Sequence, residues 1–152
     1  MPVTWFRVFA NSDQVPAPEA VARSIRDGFP QMQVKFMADD EGWLEADITD
    51  PITGHSWKLR RYCRNADDIR GELQSWAAWI EWQPPSPHQQ HLMERIMTAK
   101  QVFTFEADED PTSAPLGLAL MQFLAGASDG VYQIDGRGFY AAGGGLLLAE
   151  SD

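Results

Sequence analysis

Residues 111–148 read PTSAPLGLALMQFLAGASDGVYQIDGRGFYAAGGGLLL, and the layout of the chain can be worked outward from them. The first half is an almost wholly apolar segment with helical spacing. Leu116, Leu120, Phe123 and Leu124 mark one side of it, and Leu118, Met121 and Ala125 another. A helix that is apolar on more than one side has to be covered on more than one side. The expectation is therefore an interior spine around which the rest of the chain packs. The second half divides into short strands, VYQI, GFYA and LLLA, separated by glycine-rich turns. Asp135-Gly136 and Gly143-Gly144-Gly145 suit hairpins that need positive φ. A phosphate cradle would instead lead glycine amides into a helix N-terminus, usually with a Lys and a Ser or Thr, and no such pattern follows.

Upstream of the spine, alternation dominates. VTWFRVFA, residues 3–10, reads as a strand with Phe6, Val8 and Ala10 on one face and Trp5, Arg7 and Phe9 on the other. The loop NSDQVPAP ends it, and its prolines can open a helix in which Val21, Ala22 and Ile25 recur at helical spacing. Three strands follow as a meander. QMQVKFM turns Met32, Val34 and Phe36 inward. WLEADIT turns Leu44, Ala46 and Ile48 inward and Trp43, Glu45 and Asp47 outward. HSWKLRRY turns Trp57 and Leu59 inward. Such alternation implies a half-buried antiparallel sheet. Asn65, with Asp67 and Asp68, is placed to cap a helix over about 65–82, in which Ile69, Leu73, Trp76 and Ile80 share a face. PPSP at 84–87 separates it from a second helix over about 87–99, and QVFTFEA is a further strand.

These elements make an α+β chain, a single domain over 1–152, with a mixed, mainly antiparallel sheet and helices packed on one face. The order strand, helix, three strands in residues 3–62 recurs in residues 101–148. The fuller expectation is two βαβββ modules, halves 1–64 and 100–152, joined by a helical connector over 65–99.

Six Trp and eight Phe in 152 residues are ample for one core. No apolar run approaches the roughly 20 residues of a membrane span, and the opening MPVTWFRVFANSD has no export-signal pattern. The single cysteine, Cys63, excludes an internal disulfide. Together these lead to the expectation of a cytoplasmic protein. The net charge of −10 is uneven: −5 over 1–57, +2 over 58–100 and −7 over 101–152. An acidic chain repels phosphate backbones, which argues against nucleic acid and suits a basic protein or a small molecule as partner.

Lys58, Arg60, Arg61 and Arg64 form the only basic cluster. Guanidinium forks could grip a phosphate or carboxylate. The competing assignment pairs them across the sheet with Glu45 and Asp47, and the surplus of acids favours it. Trp43, Trp57, Trp79 and Trp82, with Trp5 and Trp76, either form a binding face or a second core layer beneath the linking helices. His88, His91 and Glu94 fall three residues apart on one helical face and are the candidate metal ligands. They lack the HExxH arrangement, and a polar outer face opposite Leu92 and Ile96 is the favoured account of them. The acidic turn Glu106, Asp108, Glu109, Asp110 lacks the spacing of a calcium loop. Cys63 lies near Arg61 and Arg64, which could lower its pKa, but no imidazole adjoins it in sequence and there is no GxSxG.

Paired strand–helix–strand modules recur in small-molecule-binding folds and metal-dependent lyases. The lyases carry His and Glu ligands on their strands, whereas this chain offers His55 and Glu45 with no second set. No cofactor is implied. The expected function is a non-catalytic binding or interaction protein whose acidic surface meets a basic partner; an immunity-type role against a secreted nuclease would fit. The alternatives are a small-molecule-binding module with a pocket between the two halves, and a metal-dependent enzyme using the His88, His91 and Glu94 face.

Overall fold

A computed structural model describes residues 3–64 and 69–150. The expected cap at Asn65, Asp67 and Asp68 lies outside the described residues. The chain runs β1 (Thr4–Ala10), α1 (Pro18–Gly28), β2 (Gln33–Asp39), β3 (Gly42–Thr49), β4 (Ser56–Cys63), α2 (Arg70–Glu81), α3 (Gln89–Met97), β5 (Gln101–Ala107), α4 (Ser113–Ala127), β6 (Gly130–Ile134), β7 (Gly138–Ala141) and β8 (Leu146–Ala149). The strands form one sheet in the order β2-β3-β4-β5-β1-β6-β7-β8, and every neighbouring pair is antiparallel. The α+β class with an antiparallel sheet is therefore the observed one.

Antiparallel neighbours throughout mean that β1 and β2 run the same way, as do β5 and β6. Each pair is joined by a helix crossing the sheet. α1 and α4 pack on one another and on the same sheet face, and the two crossovers leave in opposite directions from oppositely directed strands. They therefore share one hand, as strand twist requires. Beneath them lies the larger core, which includes Phe6, Val8, Trp57, Leu59, Phe103 and Phe105.

The helices do not stay on one face. α2 and α3 cover part of the opposite face, where Leu73, Ile80, Leu92 and Ile96 meet Phe9, Val102, Val131 and Phe139. β1 and β5 thus carry apolar residues on both sides, Phe6 and Val8 against Phe9, and Phe103 against Val102. A sheet apolar on both faces needs a layer on each. Trp76 and Trp79 belong to this second layer, with Trp76 packed edge-on to Phe139 at 5.6 Å and Trp79 lying 6.0 Å from the same ring.

Two further expectations change. α4 is buried along one side only, through Leu116, Gly117, Leu120, Met121, Leu124 and Ala125. Leu118 is 36% exposed, so the segment is an outer layer rather than an enclosed spine. It needs no second cover because the residues beside Leu118 on its outer side are Ala114, Ala119 and Gln122, which expose little apolar surface. The second change is in β3. Its pairing with β2 shifts register so that Met37 faces Glu45 and Ala38 faces Trp43, leaving Leu44 unpaired. A bulge of this kind inserts one residue and flips the alternation. Trp43 is consequently 2% exposed and inside the core, while Leu44 is turned out.

The repeated element order is present, but its copies occupy unequal places. The meander β2-β3-β4 walks inward from one edge to β5, whereas β6-β7-β8 starts beside β1 and walks outward. β5 lies between β4 and β1, so each half completes the other's sheet.

Candidate anion-binding cleft

β4 is where the basic cluster divides. Successive side chains on a strand point to opposite faces. Lys58 and Arg60 stand on the solvent-facing side, directly across from Asp47 and Glu45 on β3. Lys58 Nζ lies 3.2 Å from Glu45 Oε2 and 3.4 Å from Asp47 Oδ1, and Arg60 Nε donates to Glu45 Oε1 at 3.1 Å. The hydrogen bonds from Arg60, then Lys58, hold the Glu45 carboxyl below its ordinary pKa. The Lys58 ammonium is raised by its bonds to Glu45 and Asp47. Exposed pairs like these are screened by solvent and add little to stability. Half of the cluster is thus occupied by the chain's own acids.

Arg61 turns the other way and is 5% exposed. Its Nε donates to Gln101 Oε1 at 2.8 Å and its Nη1 to the Trp43 carbonyl at 2.9 Å. The β3–β4 ladder begins at Glu45–Arg60, so the Trp43 carbonyl is not used in it. Gln101, itself buried, donates through Nε2 to the Ser12 and Gln14 carbonyls, both at 2.9 Å. One amide thereby ties the loop after β1 to the start of β5 and orients the guanidinium. Gly42 at φ +122 turns the β2–β3 hairpin beside them; a Cβ there would lie 3.2 Å from the Val15 side chain and 3.5 Å from Arg61 Nη1.

These groups border a cleft of about 470 Å³, lined by Asp13, Val15, Glu41, Arg61, Cys63, Arg64, Lys100 and Gln101. It lies at the seam between the two halves, with β4 on one side and the start of β5 on the other. Arg64 Nη1 donates to the Met97 and Ala99 carbonyls at 3.2 and 3.0 Å, a favourable place for a cation at the end of α3. Among the described residues, Arg61, Arg64 and Lys100 have no carboxylate within 4.0 Å. A buried ion without a counter-charge costs several kcal/mol. The Arg61 carbonyl and amide partners offset part of that cost, and Nη2 has no hydrogen-bond partner among the described residues. Chemically, the cleft offers a fixed planar donor and two further cations to an incoming oxyanion.

The other candidate residues are dispersed. Trp43 and Trp57 are core residues, not a binding face; Trp43 Nε1 donates to the Pro16 carbonyl at 2.8 Å and Trp57 is 4% exposed. Trp79 is half-buried in the second layer, and Trp82, just past α2, is 85% exposed. His88 and His91 line a separate cleft of about 340 Å³ with the Arg95–Asp129 ion pair. Glu94 instead accepts from Gln90 Nε2 at 3.1 Å. Among the described residues no group of three or more His, Cys, Asp or Glu could hold a metal ion, so the His88, His91 and Glu94 face does not form a ligand set. Asp108 and Asp110 of the acidic turn face His55 at 2.9 and 3.4 Å. No helix among the described residues is long and apolar enough to cross a membrane.

Gln101, Asp13, Glu41 and Lys100 were not singled out from sequence. The one available signal is Gln101, a polar residue opening a strand that continues with the apolar Val102 and Phe103. Comparison with known protein families, curated proteins and solved structures finds no match.

Proposed function

We propose that this chain is a binding module for a small molecule bearing an oxyanion, a carboxylate or a phosphate, held in the cleft between the two halves. The observation that carries this reading is Arg61: a guanidinium 5% exposed, oriented by Gln101 and the Trp43 carbonyl, with no carboxylate within 4.0 Å among the described residues. Its counter-charge would come from the ligand. A volume of about 470 Å³ falls within the range of small-molecule sites. The test is a thermal melt and calorimetric titration with inorganic phosphate and, separately, succinate. Ligand at ten times Kd stabilises by about 1.4 kcal/mol, a rise of roughly 3–6 °C for a chain of this size. Arg61→Gln should abolish that rise. Its own stability should stay within about 1 kcal/mol of the parent, because removing a buried charge offsets the lost hydrogen bonds. Absence of any saturable response to both anions, or a response that survives Arg61→Gln, would refute the reading.

A second reading, a protein that docks a basic partner, is favoured by Trp82. It stands 85% exposed ahead of Pro84 and Pro85 on a chain of net charge −10. Exposed Trp commonly anchors interfaces. On this reading Trp82→Ala weakens such a complex by about 2 kcal/mol or more, while Arg61→Gln leaves it unchanged. A complex indifferent to Trp82 would rule it out.

A further inference from the structure

The cleft around Arg61 is lined by charges of both signs. Arg61 and Arg64 come from the end of β4, and Lys100 from the residue ahead of β5. Asp13 and Glu41 come from elsewhere: the loop after β1 and the β2–β3 turn. Those two segments adjoin, since the Val15 side chain lies 3.2 Å from where a Cβ on Gly42 would sit. The two acid-bearing segments therefore border the cleft together, and the Gly42 turn also lies near Arg61 Nη1, 3.5 Å from where its Cβ would sit. Neither carboxylate has an ion pair or side-chain hydrogen bond among the described residues, and none of the three cations has an ion pair. Opposite charges thus line one space without meeting across it.

We infer that the ligand of this cleft is a small zwitterion, its oxyanion on the Arg61 side and its protonated amine facing Asp13 and Glu41. This rests on the oxyanion reading above and narrows it. A simple anion would compensate Arg61 but would face two carboxylates in a chain already at −10. A simple cation would suit the acids and leave the buried guanidinium unmatched. A molecule carrying both charges satisfies both sets of groups, and the acids reject ligands that lack the amine.

Matched pairs of probes test this on the full chain: 2-aminoethyl phosphate against ethyl phosphate, and β-alanine against propionate. The members of each pair differ only in the ammonium group, and the two pairs separate phosphate from carboxylate as the anion. Calorimetric titration should show the aminated member binding about fivefold more tightly, the size expected for partly exposed ion pairs. In the double variant Asp13→Asn, Glu41→Gln that advantage should vanish while the plain anion still binds. Both side chains are exposed, so this variant should fold as the parent does. Equal affinity within a responding pair, or an advantage that survives the double variant, would overturn the zwitterion and leave the oxyanion reading standing. Silence from all four probes would overturn both.

Discussion

Lys58, Arg60 and Arg61 carry similar charge within four residues of sequence, yet their surroundings differ completely. Lys58 and Arg60 face acids one strand away, a partnership set by period-two alternation and visible from sequence. The orienting partner of Arg61 is Gln101, 40 residues distant, and no local pattern announces it. His55 gives a second single-residue case with a measurable consequence. Its ring lies 5.0 Å from that of Trp57, with Nε2 2.9 Å from Asp108 Oδ2. The bond to Asp108 raises the imidazole pKa above its ordinary value, against the opposing effect of desolvation. For Asp108 desolvation pushes upward, but the bonds from His55, the Asp110 amide and Trp57 prevail and hold it low. A raised histidine stabilises fully below about pH 6.5 and loses that contribution as pH climbs through its folded-state pKa. A lowered aspartate stabilises above its unfolded pKa and loses that contribution as pH falls through the folded one. The pair is therefore intact in mildly acidic solution. Melting temperature should fall as pH rises above about 6.5, and His55→Ala should flatten that fall. Parallel curves for parent and variant would show that the pair contributes nothing.

Among elements, β3 and α4 show where local patterning runs out. A strand's alternation is legible until one extra residue enters the ladder. The bulge that leaves Leu44 unpaired depends on how β2 meets β3, and it decides that Trp43 is core. α4 reads as apolar all round because its sequence cannot show which side meets the sheet. The structure shows it through two glycines. A Cβ on Gly117 would lie 3.0 Å from the Phe105 ring and 3.1 Å from Phe6, whereas one on Gly126 would meet nothing within 4 Å. Gly117→Val should therefore overpack the core and cost about 2 kcal/mol. Gly126→Ala should stabilise by about 0.5–1 kcal/mol through helix propensity and reduced freedom of the unfolded chain. Chemical denaturation of both variants checks the pair; a neutral Gly117→Val would mean α4 does not press on β1 and β5 as described.

At the scale of the whole molecule, the interleaved sheet is the governing fact. β5 separates β4 from β1, so residues 1–64 alone would leave β4 and β1 without their shared neighbour. Unpaired strand edges and an uncovered core do not support an independent fold. Excised residues 1–64 should lack the circular dichroism and dispersed amide spectrum of a folded sheet, and the intact chain should unfold in one cooperative step by both Trp fluorescence and far-ultraviolet dichroism. A folded fragment, or two separated transitions, would contradict the interlocked arrangement. The same interleaving places the cleft: Arg61 from one half and Gln101 from the other meet only because β4 pairs with β5.

Sequence alone determined the α+β class, the order and near-boundaries of the elements, and the exposed pairing of Lys58 and Arg60 with Glu45 and Asp47. All of these follow from periodicity within one element or between adjacent strands. Tertiary structure alone decided that helices cover both faces, that Trp43 is core, that His88, His91 and Glu94 do not converge, and that Arg61 lies buried beside Gln101 with no ion pair among the described residues. The physical reason is range. Alternation and helical spacing act over a few residues, whereas burial and charge compensation are set by strands brought together from distant parts of the chain.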